Sequence, residues 1–158
     1  MTTDTVMPCL WFNDAAEQAV RHYCAVVPGS AIRNVVRHAD GSAFIVEFDL
    51  GGRPCMAFNA ARDAAFTQAI SLVVTCADQA ELDRVWDGLL EGGAPQRCGW
   101  LTDRHGVSWQ VVPASLGEMM RQGDAAQRGR LMAALMPMVK LDIATLKAAW
   151  AAEEGAIA

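Results

Sequence analysis

The apolar positions along this chain change period several times, and each change marks an element. Residues 6–12, VMPCLWF, form a short apolar run of strand length. Asn13 and Asp14 follow as N-cap candidates, and Asp14 with Glu17 has the spacing of a capping-box variant. Ala16, Ala19, Val20, Tyr23, Cys24 and Val27 then recur at helical spacing, which predicts an amphipathic helix over 15–27 that Pro28 and Gly29 end. Residues 31–38 and 43–50 read as strands around the turn signal Asp40-Gly41, and Gly51-Gly52 returns the chain into a strand over 53–60.

The pattern then restarts. Residues 70–76, ISLVVTC, are a β-branched apolar strand, and Asp78 with Glu81 repeats the cap of Asp14 with Glu17. Leu82, Val85, Trp86, Leu89 and Leu90 make an apolar stripe over 79–91 that Gly92 and Gly93 end. A short extended piece at 94–97 leads into a hairpin, CGWLTDRHGVSWQVVP, over 98–113. A shift of 64 residues lays DAAE (14–17) on DQAE (78–81), each after an apolar strand and before a helix. Each half therefore reads strand, helix, then up to three strands, and the chain contains an internal repeat. After Pro113 the period becomes helical over 114–122 and 125–136, with Met119, Met120, Leu131, Met132, Leu135 and Met136 expected inside. Asp142 caps a last helix carrying Ile143, Leu146 and Trp150. The fold class is α+β: two βαβββ modules at about 6–60 and 69–113, with a helical extension of the same domain over 114–158.

Composition narrows the function more than it names it. The 158 residues are 53% hydrophobic and 20% charged, an ordinary globular balance. A net charge of −5 without a clustered basic surface argues against nucleic-acid binding. No apolar run reaches the ~18 residues of a membrane span, and the first residues lack the basic flank of a signal peptide. The expected location is cytoplasmic, with no membrane partner. The five cysteines, Cys9, Cys24, Cys55, Cys76 and Cys98, are odd in number, widely spaced and without a CxxC, so buried free thiols are expected.

Two successive strand-helix-hairpin modules are the plan of the vicinal oxygen chelate superfamily, which includes glyoxalase I, extradiol dioxygenases and the bleomycin and fosfomycin resistance proteins. The stretches PCLWFNDAAEQAVRHY (8–23), VVPGS (26–30), SLVVTCADQAELDRVWDGL (71–89), the hairpin over 98–113 and MVKLDIATLKAAW (138–150) resemble its PhnB-like branch, often labelled with a 3-demethylubiquinone-9 3-methyltransferase domain name. The resemblance implies a glyoxalase/bleomycin resistance-like fold, each sheet curled about a cleft, and frequent homodimers. In the superfamily's metal enzymes four ligands sit at the start of the first strand and the middle of the last strand of each module, where they hold a divalent ion as a Lewis acid. Transferred to this chain, those positions fall on Met7, Met56, Ser71 and Gln110. Hard divalent ions want carboxylate or imidazole, and none is present. The chain departs from the metal pattern at all four.

The resulting expectation is a small-molecule-binding protein with no catalytic metal and no cofactor. Met56, Ser71 and Gln110, with Trp11 and Trp100 as aromatic walls, are the candidate ligand contacts. Parity places Trp109 opposite Gln110. Enzymatic activity stays open, the alternatives being a divalent-metal lyase, isomerase or dioxygenase and a non-catalytic structural or regulatory dimer. Met7, Met56, Cys9 and Cys55 read as core filling rather than a copper(I) site. His22, His38 and His105 read as surface or turn residues, with His105, beside Asp103 and Arg104, the best placed to meet a ligand. FDLGG (48–52) is no nucleotide loop, because its glycines join two antiparallel strands instead of opening a helix.

Overall fold

Helix α1 (Ala16–Val26) buries Ala16, Ala19, Val20 and Tyr23 completely, the stripe that its spacing predicts. That stripe needs an apolar sheet face, and the flanking strands supply it. Strands β1 (Cys9–Phe12), β2 (Ala31–Arg37), β3 (Ala43–Leu50) and β4 (Arg53–Asn59) form one sheet in the order β1-β4-β3-β2, with β1 parallel to β4 and the other pairs antiparallel. Leu10, Phe12, Val46, Phe48, Cys55 and Ala57 are the buried residues of this sheet's helix side. Each large apolar side chain among them contributes about 1.5–3 kcal/mol by leaving water. The computed structural model describes residues 6–60, 62, 63 and 65–152, and the chain divides between Phe66 and Thr67 into two units.

The predicted cap of α1 is not the one used. Ala15 is the N-cap and makes no side-chain bond; Asn59, at the end of β4, accepts from the Ala16 N–H at 2.9 Å through Oδ1 and donates to the Ala43 carbonyl at 3.0 Å through Nδ2. One amide thus caps the helix and ties it to the sheet. Asp14, one residue before that N-cap, is left exposed. At the other end the chain turns through Gly29 (φ 71°), whose carbonyl accepts from Gly52 N–H at 2.9 Å. Gly51 and Gly52 have φ of 56° and 78°, the left-handed pair that a two-residue hairpin requires.

The second unit repeats the plan. Strands β5 (Leu72–Cys76), β6 (Ala94–Pro95), β7 (Trp100–Thr102) and β8 (Ser108–Pro113) form a sheet in the order β5-β8-β7-β6, with β5 parallel to β8. Helix α2 (Gln79–Leu90) buries Leu82, Val85, Trp86 and Leu89. Here the local cap forms as read: Asp78 accepts from Glu81 N–H at 2.9 Å, and Glu81 Oε2 accepts from Ala77 N–H at 2.7 Å.

Three helices follow, α3 (Ala114–Gln122), α4 (Ala125–Leu135) and α5 (Ile143–Ala151), the last two capped by Asp124 and Asp142. They are stitched to the second module by backbone and side chain. Cys98 and Gly99 donate to the carbonyls of Met138 and Val139 at 2.7 and 2.9 Å. Gln79 donates to the Leu141 carbonyl at 3.1 Å and accepts from Ile143 N–H at 2.9 Å. Gly99 is required by space, since a Cβ there would lie 2.8 Å from the Val111 carbonyl oxygen. Met119, Leu131 and Leu135 are buried as expected, but Met132 and Met136 are 37% and 54% exposed. The inward face of α4 is narrower than its run of apolar residues.

Candidate functional site

Each sheet covers one face with its helix and leaves the other open. In the first unit, Cys9 pairs with Met56 and Met56 with Glu47, while Trp11 pairs with Phe58 and Phe58 with Ile45. Paired residues point to the same side, so all of these share the face turned away from α1. Trp11 is 50% exposed, and its ring meets the edge of Phe58 at 4.8 Å between centroids. Phe44 joins them, 4.7 Å from Phe58 and 4.6 Å from His38. Simple alternation would have put Phe44 with Val46 under the helix. A bulge prevents this: Val36 pairs with Ile45 but Arg37 with Ala43, so Phe44 is the unpaired extra residue and its ring turns to the open side. The aromatic row Trp11-Phe58-Phe44 is therefore only partly legible as alternation.

In the second unit, Val73 pairs with Gln110 and Gln110 with Trp100. Gln110 Nε2 donates to Ser71 Oγ at 2.9 Å, just ahead of β5. The structure thus brings Ser71, Gln110 and Trp100 together on one face, with Val73 55% exposed beside them. Along the same sheet, Gln96 Nε2 donates to Thr102 Oγ1 at 2.8 Å, and Gln68 Nε2 donates to Gln96 Oε1 at 2.5 Å. This amide-hydroxyl row was not singled out in the sequence, where isolated Gln and Thr residues carry no spacing signal.

The opposite parity holds Trp109, fully buried, and explains the acidic turn next to it. Asp103 is 3% exposed; one oxygen accepts from His105 N–H at 2.8 Å and Val107 N–H at 3.0 Å, the other from Trp109 Nε1 at 2.8 Å. Three donors compensate the burial of a carboxylate that would otherwise be costly. Asp103 therefore builds the hairpin, and His105 sits in the turn it organises.

The register also relates the modules. Cys9 and Val73 differ by the 64-residue shift, and their β4 and β8 partners are Met56 and Gln110. Met7 and Ser71 lie two residues before these. The first unit thus offers two thioethers at the chelate-equivalent positions, and the second a hydroxyl and an amide already bonded to each other. Neither pair suits a hard divalent ion. Glu47, across from Met56, accepts from Asn34 at 3.2 Å. Among the described residues no group of three or more His, Cys, Asp or Glu side chains could hold a metal. The superfamily's oxygen-chelating ion does not fit these residues.

The remaining chemistry is muted. All five cysteines are free; Cys55 and Cys76 are buried, Cys24 and Cys98 partly so, and Cys9 is exposed, against the expectation for that residue. Burial pushes the Cys76 thiol up to about 11. A depression of about 690 Å3 lies by the start of α1, lined by Asn13, Asp14, Glu17, His38 and Asn59 among others. Its wall includes Glu17, which Arg37 and Arg21 hold at 2.9 and 2.7 Å, and its carboxyl falls to about 2. No described helix is long and apolar enough to cross a membrane.

A family model described as 3-demethylubiquinone-9 3-methyltransferase matches residues 4–112. The resemblance noted over 138–150 thus lies outside the matched range. A PhnB protein from Bacillus cereus, described as a putative 3-demethylubiquinone-9 3-methyltransferase, is 29% identical, with a TM-score of 0.67 over 70% of this chain and 100% of its own. Protein PA1353 from Pseudomonas aeruginosa is 21% identical, with a TM-score of 0.59 over 70% of this chain and 98% of its own. The fosfomycin resistance protein FosX from Mesorhizobium loti shares the fold at 12% identity, with a TM-score of 0.55 over 77% of this chain and 100% of its own. No curated protein matches the sequence. The methyltransferase in the family description finds no glycine-rich cofactor loop here, because Gly51 and Gly52 turn between antiparallel β3 and β4. By its sequence over residues 4–112, this chain belongs to the 3-demethylubiquinone-9 3-methyltransferase family.

Proposed function

We propose that this protein binds a small, flat organic molecule on its open sheet faces and does so without a chelated divalent ion. The carrying observation is the row Trp11-Phe58-Phe44 on the first unit's face turned away from α1, with Trp11 half exposed. Stacked aromatic surface of this kind suits an apolar ring system. Met56 adds a soft, adaptable contact. On the second face, Trp100 offers a wall, and the Ser71-Gln110 pair offers a hydroxyl donor and the Gln110 carbonyl acceptor. Exposed Trp11, Ile70, Val73 and Met136 support a homodimer, which sedimentation equilibrium tests.

A thermal-shift and tryptophan-quenching screen of flat aromatic compounds tests the binding function. A ligand at a hundred times its Kd should raise Tm by about 5–10 °C. Trp11→Ala should weaken that ligand at least about tenfold, the cost of losing one stacked aromatic. A broad set that moves neither signal at millimolar concentration contradicts the proposal.

A further inference from the structure

The second unit gathers sulfur atoms that neither its core nor its open face uses. Met132 in α4 and Met136, the C-cap of that helix, lie one turn apart, and both stay exposed. Cys98, in the turn before β7, brings a thiol to Met136. Its Sγ stands 3.8 Å from Met136 Sδ and 3.7 Å from the Met136 carbonyl oxygen.

Backbone holds this contact in place. Cys98 N–H donates to the Met138 carbonyl at 2.7 Å and Gly99 N–H to the Val139 carbonyl at 2.9 Å, so the turn and the segment after α4 are fixed against each other. Cys98 has φ 62° and is the one non-glycine residue with a left-handed backbone among the described residues. An L side chain is strained there, and such a residue persists where its surroundings over-determine it. The local field favours a cation. Met136 closes the carbonyl end of α4, the negative pole of the helix, and no basic residue stands in that last turn to offset it.

The donors name the cation. Thiolate and thioether are soft ligands that select copper(I), whereas zinc joins thiolate to imidazole or carboxylate. At a point about 2.3 Å from each sulfur, the usual metal–thiolate distance, the 3.8 Å pair subtends about 110°. That angle is close to those of tetrahedral and trigonal sites. We propose that Cys98 and Met136, with Met132 one turn away as third donor, bind a single copper(I) ion. The thiol proton leaves to solvent as the thiolate–metal bond forms, and the ion keeps its oxidation state. No residue of the open faces takes part, so the site stands apart from the organic ligand proposed for them.

The test is a titration of the full chain, as it assembles in solution, with silver(I) in chloride-free buffer. Silver(I) is a soft monovalent stand-in that does not change oxidation state on a thiol. The protein carries 13C in its methionine methyl groups, eight in all, and Met132→Leu and Met136→Leu assign the two signals of interest. The expected result is a saturable shift of both at one ion per chain, with Met7 and Met56 still. A shift of Met136 alone would overturn Met132 as a ligand. Silent Met132 and Met136 signals, or a first shift at Met7 or Met56 beside exposed Cys9, would overturn the site. Copper(I) affinity is then read without oxygen, by competition with bathocuproine disulfonate. It should fall at least about tenfold in Met136→Leu, since groups merely behind metal ligands are worth that much. It should vanish in Cys98→Ser and persist in Cys9→Ser. Unchanged affinity in Met136→Leu would mean that a bare thiol holds the ion and would overturn the paired sulfurs. Silver(I) binding at this place without measurable copper(I) affinity would overturn the assignment to copper.

Discussion

The two units run the same strand order with different fillings, and equivalent positions show what each filling does. Cys55 in β4 and Trp109 in β8 are matched by register, one residue before Met56 and Gln110. Both are buried, but Trp109 also donates to a buried Asp103 that organises its turn, whereas Cys55 only fills space. The start of α1 is capped by Asn59 from a distant strand; the start of α2 is capped by Asp78 next to it. The open faces differ too, aromatic in the first unit and amide-hydroxyl in the second. A repeated backbone plan therefore fixes where side chains point, and leaves their chemistry free to diverge.

The largest effect should come from the buried lock of the second unit. Trp109→Ala should destabilise by about 3–5 kcal/mol in chemical denaturation, as large core truncations do. Cys55→Ala should cost only about 1 kcal/mol. Equal losses would mean that the matched positions carry equal weight. Next come the caps. Asn59→Ala removes a helix cap and a sheet tie together, and should cost about 2 kcal/mol against about 1 for Asp78→Ala, since one lost cap is worth about that much. The same denaturation curves decide the order.

Smaller still is a pH effect confined to the first unit. Arg37 and Arg21 hold the Glu17 carboxyl down at about 2, below its ordinary 4.5. A depressed carboxylate contributes stability that is fully present above the unfolded value. That contribution is lost as pH falls from 4.5 toward 2. Glu17→Gln should flatten the acid limb of the stability profile in that window and leave the profile above pH 6 parallel to the parent. Thiol labelling gives the finest contrast. Exposed Cys9 should react first with iodoacetamide at pH 8. Fully buried Cys76, its thiol raised to about 11, should react last.

Much of this was legible in the sequence because it is local. The helical stripes, the glycine turns, the cap at Asp78 and the parity that sends Trp109 inward and Gln110 outward all follow from neighbours in the chain. What escaped depends on distance or on a break in period. Asn59 lies 43 residues from the N–H it caps, and no spacing rule links them. Phe44 escaped because one bulge in β3 reverses the side that alternation assigns. Asp103 reads as a turn residue until Trp109 folds against it. Met132 and Met136 lie outside because α4 needs only Leu131 and Leu135 to meet its neighbours. For the candidate site, parity puts Met56 and Gln110 on the faces turned away from the helices, while Met7 and Ser71 lie just ahead of β1 and β5 rather than in them; the Ser71-Gln110 bond and the aromatic row come from the structure.

We propose that Met56 on the first unit's open face, and Ser71 with Gln110 on the second's, meet an organic ligand and that neither face holds a chelated divalent ion. Metal analysis of untagged protein, incubated with manganese, iron, nickel or zinc and then desalted, tests it most directly. The account predicts retention far below one ion per chain, unchanged by Ser71→Ala and Gln110→Ala. Close to one ion per chain, lost in those variants, would contradict it and restore a metal-dependent enzyme as the function of this fold.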